Sequence, residues 1–392
     1  MYAMTELCFQ GNPLISPCNL LYKKNPLLLM QVFNTKATQL DISNAGIDHL
    51  PPFIGRLTDL VRLDLKNNLL STLPTELGFL TQLKELILEG NPLQSPFDHL
   101  RREPYGDLAV VQFLHVEGGE LDLTGASLVE IPVLLLRHSN KLTALNLSDN
   151  ALKSLPKRFV ELQALRILLL DNNLLREFPP EICQLVNLQV LTLDKNGIKR
   201  LPNSISALQN LQTFVLDSNK ITSMPPEICS LYQLTTLAVP NNALKILPEN
   251  IGDLKSLQII DLRCNDIREI PVSIGQLTNL RTLDLRINDI SLVPGSIGGL
   301  LSLRELNLSN NRLTSIPASL LELSALSSLK LAANRLESVP SGLARLTKLE
   351  ELQLYGNNFR SHPESFGTHS INTNAVGRRA VHELQSRIAA CT

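Results

Sequence analysis

The sequence predicts an α/β solenoid, with a curved parallel β-sheet on a concave side, a mostly irregular convex side and helical caps. Three observations predict it. An apolar pattern that opens LTALNLSDN at Leu142 recurs every 23 residues, at Leu165, Leu188, Leu211, Leu234, Leu257, Leu280, Leu303, Leu326 and Leu349. The ninth position of every one of these repeats is Asn, from Asn150 to Asn357. The fifteenth is always Pro, from Pro156 to Pro363. A fixed period of this length marks a repeat array, in which each unit buries its apolar side against its neighbours.

The elements of one repeat follow from residue chemistry. Positions 4 and 6, such as Leu168 and Leu170, alternate with outward neighbours as a half-buried strand requires. Each repeat therefore adds one strand to a parallel sheet. The Asn that follows can donate and accept at once, so it satisfies backbone groups as the chain turns out of the strand. Apolar residues at positions 11, 14, 18 and 21 close the core behind the sheet. The Pro cannot continue a ladder and holds its predecessor extended, so the return segment has room for one short helical turn at most.

Along the chain, residues 1–36 hold a partial repeat and a cap-like apolar segment. Residues 37–117 hold three repeats ending in a second such segment, 118–363 eleven repeats, and 364–392 a C-terminal cap. Two stretches punctuate this order, GNPLISPCNLLYKKNPLLLMQVF (11–33) and GNPLQSPFDHLRREPYGDLAVVQFL (90–114), with a looser copy from Gly356. Leu7 and Leu40 are 33 residues apart and Leu86 and Leu121 are 35 apart. Each gap is one repeat plus an insertion that a convex helix would absorb, so one continuous solenoid is expected over a two-domain break near 117. The Asn column fails only at Ala45 and Ala126, the first repeats after the two insertions. That pattern is expected of array starts. Val376, Ala380, Val381, Leu384 and Ile388 predict an amphipathic helix over 374–389 that closes the C-terminal end of the core.

Composition narrows the function. The formal net charge is -1, aromatics make up 4% and Trp is absent, so nothing favours nucleic acid or a base-stacking platform. Six cysteines are spread without CxxC spacing (Cys8, Cys18, Cys183, Cys229, Cys264 and Cys391), which predicts reduced thiols and a cytoplasmic location. No apolar run approaches the ~18 residues of a membrane span, and no signal peptide is read at the N-terminus. No catalytic constellation appears, no cofactor is expected, and an enzyme is not predicted. His362, His369 and His382 match no metal-ligand spacing. Asn146 and Asn307 fit the glycosylation sequon but fall on strands.

The candidate site is the outward face of the strands, for a protein partner. Positions 3, 5 and 7 place Ile167, Leu169, Val190 and Val215 beside an acidic column of Asp171, Asp194 and Asp217. After Pro240 come Asp261, Arg263, Asp284 and Arg286. Like charges one strand apart repel by about 1 kcal/mol in water, so the column needs something to answer it. Either Asp hydrogen-bonds the turn that follows, or a partner does.

The 23-residue LxxLxLxxNxLxxLPxxIxxL pattern is similar to the leucine-rich repeat. The GNPL ends and the motifs Gly106–Leu114 and Gly377–Leu384 resemble the caps of intracellular Ras-group leucine-rich repeat proteins, most of all the leucine-rich repeat-containing protein 40 family. The chain departs from that family in lacking its long first array and long linker. The resemblance implies a non-catalytic interaction scaffold in intracellular signalling, with a small GTPase or phosphatase as partner. The alternative is the repeat region of a larger signalling enzyme, a kinase or GTPase, whose catalytic domain lies outside this chain.

Overall fold

A computed structural model describes residues 6–8, 38–80, 82–94, 97, 110, 119–126, 128–131, 141–338, 341–359, 374–376 and 381–382. The chain forms two compact units, Met1–Leu152 and Lys153–Thr392.

In the first unit, β1 (Glu6–Cys8), β2 (Gln39–Asp41), β3 (Arg62–Asp64) and β4 (Glu85–Ile87) form one sheet in chain order. All three pairings are parallel, with Leu7, Leu40, Leu63 and Leu86 in register. The first insertion is thus spanned by the sheet. The second is not, because β4 ends this sheet and β5 (Glu120–Asp122) begins another, pairing in parallel with β6 (Ala144–Asn146). Ala45 therefore has an upstream strand, and among the described residues Ala126 has none on that side. The missing Asn is a sign of a sheet start at the second place only. The cap-like helices expected within 11–33 and 90–114 lie outside the described residues, apart from the helical and buried Phe97 and Val110.

The second unit carries β7 (Ile167–Leu169), β8 (Val190–Thr192), β9 (Thr213–Val215), β10 (Thr236–Ala238) and β11 (Ile259–Asp261). They are followed by β12 (Thr282–Asp284), β13 (Glu305–Asn307), β14 (Ser328–Lys330) and β15 (Glu351–Gln353). Every neighbouring pair is parallel and shifted by one 23-residue repeat, as in Leu168↔Leu191 and Leu191↔Phe214. The leucines of positions 1, 4 and 6 are buried throughout, and Phe178 meets Phe214 edge to face at 6.5 Å.

Each described return segment of this unit has one 3-10 turn that follows the column proline. Pro225, at φ -70° and ψ 145°, caps the turn Pro226–Ser230. Its carbonyl accepts the Ile228 N–H, and the Ile228 carbonyl accepts the Leu231 N–H. Equivalent turns follow in the other described return segments of the unit, the one at Ile251–Asp253 beginning later, after Asn250. The turns pack closely. A Cβ at Gly252 or Gly275 would overlap the carbonyl oxygen of Ser273 or Ser296 in the next repeat. Cys183 and Cys229 hold the same column position and are buried.

The C-terminal expectation needs correction. Asn374–Val376 is not the first turn of a helix but a strand, β16, and it pairs antiparallel with β15 through Leu352↔Ala375. The edge of β15 offers unpaired backbone groups, and pairing them outweighs the helical period of the side chains. Helix is present at Val381 and His382, with Val381 fully buried. The rest of the expected cap helix lies outside the described residues.

Candidate functional site

The Asn column builds the edge on which the strand face rests. Asn219 Nδ2 donates to the carbonyls of Leu193, Leu216 and Asp217 at 2.9, 3.2 and 3.2 Å, while its Oδ1 accepts the Ile198 N–H at 3.0 Å. The same set recurs from Asn196 to Asn357. One amide thus satisfies groups in its own repeat and in the one before it, which fixes the spacing of the outward side chains.

Just before each Asn, position 8 turns into the left-handed region. The non-glycine residues there include Asn172, Lys195, Ser218, Asn241, Cys264, Ile287, Asn310 and Ala333, all with φ between 50° and 57°. Sequence reading missed this column. Its signal was the run of Asn, Asp and Ser, residues that tolerate this conformation.

Position 7 poses a donor problem that the chain meets in three ways. Where position 5 is Asp or Asn, its side chain accepts the position-7 N–H locally. Asp261 does so for Arg263 at 3.2 Å, Asp284 for Arg286 at 3.1 Å and Asn307 for Ser309 at 3.1 Å. Asn146 does the same for Ser148, so the Oδ1 of each sequon Asn is engaged by its own strand end. Where position 5 is Thr192 or Val215, the preceding repeat supplies the acceptor. Asp171 Oδ1 takes the Asp194 N–H and Asp194 Oδ1 takes the Asp217 N–H, each at 2.7 Å. At Pro240 there is no N–H, and Asp217 Oδ1 instead accepts Asn241 Nδ2 at 2.7 Å.

The acidic column is therefore answered in part from within the chain, mostly across repeats, and at the turn that follows where Asp217 Oδ1 accepts the Ser218 hydroxyl at 2.9 Å. Asp171 also accepts the Thr192 hydroxyl at 2.8 Å. Burial is the main cause that pushes the Asp194 carboxyl up to about 6, and the charges of Asp171 and Asp217 add to it against the Asp217 N–H and Lys195. Burial likewise raises Asp261, against the Arg263 N–H and guanidinium. Arg263 pairs with Asp261 at 3.2 Å and Arg286 with Asp284 at 3.5 Å, so this part of the face is charge-balanced.

All the sequence-derived residues lie on the outward strand face of the second unit. Ile167 is 37% exposed, while Leu169, Val190 and Val215 are half-buried. Three apolar side chains were not singled out from sequence: Ile259, Ile287 and Tyr355, at 41%, 48% and 50% exposure. Ile259 occupies the same strand position as Ile167. Ile287 was missed because position 8 read as part of a turn.

Comparisons with known proteins agree with this geometry. A profile of the leucine-rich repeat region matches residues 227–285 and 273–366, and a second, leucine rich repeat, matches 35–93 and 186–244. The chain is a leucine-rich repeat protein. No curated protein matches it. Among solved structures, it is similar to the leucine-rich repeat ectodomain of the membrane receptor kinase GASSHO1/SCHENGEN3 from Arabidopsis thaliana, in complex with CASPARIAN STRIP INTEGRITY FACTOR 2. The identity is 28% and the TM-score 0.56, over 82% of this chain and 44% of that one. The plant peptide hormone receptor RGFR1, in complex with RGF2, is 26% identical with a TM-score of 0.54, over 82% and 60%. An internalin from Listeria monocytogenes shares the fold at 20% identity and a TM-score of 0.53, over 89% and 94%. The leucine-rich repeat protein spans roughly half the length of the two plant receptors. Among the described residues no helix is long and apolar enough to cross a membrane.

Proposed function

We propose that this leucine-rich repeat protein is a non-catalytic scaffold that binds a protein partner on the outward strand face of residues 153–392. One observation carries the reading. The face sets exposed or half-buried Ile167, Leu169, Val190 and Val215 beside Asp171, Asp194 and Asp217, on a backbone pinned in every repeat by its Asn. A rigid surface of mixed apolar and charged side chains, each separately variable, is what recognition of a partner needs. The two plant receptors, solved with RGF2 and CASPARIAN STRIP INTEGRITY FACTOR 2, support the reading. The further face residues Asp261, Arg263, Asp284 and Arg286 extend the surface.

The proposed setting is intracellular signalling, with a small GTPase or phosphatase as partner, as the Ras-group resemblance implies. Unpaired Cys183, Cys229 and Cys264 support a reducing, cytoplasmic compartment. The second reading, the repeat region of a larger signalling enzyme, is favoured by the likeness to a receptor kinase ectodomain. Sequencing the full transcript distinguishes the two, because only the second expects a catalytic domain in the same reading frame.

The test of the binding face is affinity capture with the Ile167→Glu/Val215→Glu double variant beside the wild type, both checked for the same thermal unfolding. The variant is expected to lose the partners that the wild type retains. Retention of every partner would show that binding is elsewhere.

A further inference from the structure

Ile287 is out of place by local rules. It is a β-branched residue at φ 57°, in a column otherwise held by Asn, Asp, Ser, Lys, Cys, Ala and Gly. The left-handed region crowds a branched Cβ, so isoleucine there is a strained choice. Its backbone has no freedom to relax. The Ile287 N–H donates to the Ser309 carbonyl at 2.9 Å, and its own carbonyl accepts the Asn265 N–H at 3.1 Å. Burial does not repay the strain, since the residue is 48% exposed. Strain held in place by surrounding structure is a feature of sites that work.

The surroundings indicate what would cover it. Beside Ile287, the Arg286–Asp284 pair and the Arg263–Asp261 pair of the preceding repeat are each charge-balanced. Three strands away the balance changes. Asp171, Asp194 and Asp217 line up, and Lys195 is the cation that acts on Asp194. One face therefore offers an aliphatic foothold at one end and an excess of negative charge at the other.

We propose that the partner presents an extended segment running across the strands, with an aliphatic side chain on Ile287 and a Lys or Arg over the Asp194–Asp217 carboxylates. This rests on the strand-face reading above and adds the ligand's chemistry to it. The spacing follows from the sheet. Asp217 and Ile287 sit at the ends of β9 and β12, three strand intervals or about 14 Å apart, which an extended chain covers in about four residues. The cation and the aliphatic side chain of the segment are thus separated by about four positions.

Panning a random 12-residue peptide library on the full chain tests this. Enriched peptides are expected to carry Lys or Arg about four positions from Ile, Leu or Val. A synthetic enriched peptide is expected to bind the Ile287→Asn variant at least tenfold more weakly, although that variant melts at a higher temperature than the wild type. Replacing the aliphatic residue of the peptide by Ser should then cost nothing further on the variant. Asp194→Asn should weaken binding and make it less salt-sensitive. Enriched peptides without this pairing, binding indifferent to Ile287→Asn, or no enrichment at all would each overturn the proposal. The wider reading is judged separately. If the Ile167→Glu/Val215→Glu variant still loses its cellular partners, the strand face binds something other than this segment. If it keeps them, both readings fall.

Discussion

Asp194 shows how a single side chain can serve the fold and still hold charge in reserve. Its Oδ1 accepts the N–H of Asp217, yet its carboxyl is pushed up to about 6 by burial and by the neighbouring aspartates. A carboxyl whose folded pKa lies above its unfolded value binds more protons folded than unfolded between the two. Its contribution to stability therefore falls as pH rises from about 4 to about 6, and the penalty is complete above that. Asp194→Asn keeps an oxygen for the Asp217 N–H and removes the charge. It is expected to be more stable than the wild type by about 1–3 kcal/mol at pH 7, with the gain gone near pH 4. Thermal unfolding of both proteins across this range checks it, and a constant difference would refute the electrostatic account. None of this was legible in the sequence. The aspartates were visible as a column facing outward, but the N–H that each answers lies 23 residues away.

The repeat itself was almost wholly legible, because its rules are local. Strand alternation, the proline-set turn and the Asn column are each written in consecutive letters. The most exacting element is the Asn. Asn219→Leu is close in size but would leave the buried Ile198 N–H without its acceptor and take one of two amide donors from the Leu193 carbonyl, which keeps Asn196 Nδ2. A loss of about 1–3 kcal/mol is expected, measured by urea unfolding, and hydrogen exchange should speed up first at the Ile198 amide. Stability equal to wild type would mean that the amide is dispensable. The left-handed residue before each Asn was not read from sequence, since Lys195, Cys264 and Ile287 carry no turn signal of their own. Their conformation is imposed by the pairing of neighbouring repeats.

At the scale of the whole chain, the ends of the array mattered most and were read least well. The 374–389 segment has a helical period, but Asn374–Val376 closes the sheet against β15. An open edge and an uncovered core are liabilities that a repeat array must seal. Deleting 374–392 removes β16 and the buried Val381. The truncated protein is expected to unfold at lower temperature and to self-associate, seen by light scattering. A monomer of unchanged stability would show that the seal lies elsewhere. The two insertions looked equivalent in sequence, yet strands pair across the first, and β4 and β5 end separate sheets at the second.

The amino-acid sequence by itself determined the repeat, its period, its strands and turns, and the face that points outward. Those features arise from neighbours a few residues apart, where alternation, proline geometry and amide chemistry act directly. Only the tertiary structure decided what that face presents. Repeats 23 residues apart in the chain lie one strand apart in space. That proximity turns three aspartates into a hydrogen-bonded ladder and holds Ile287 exposed in a strained conformation.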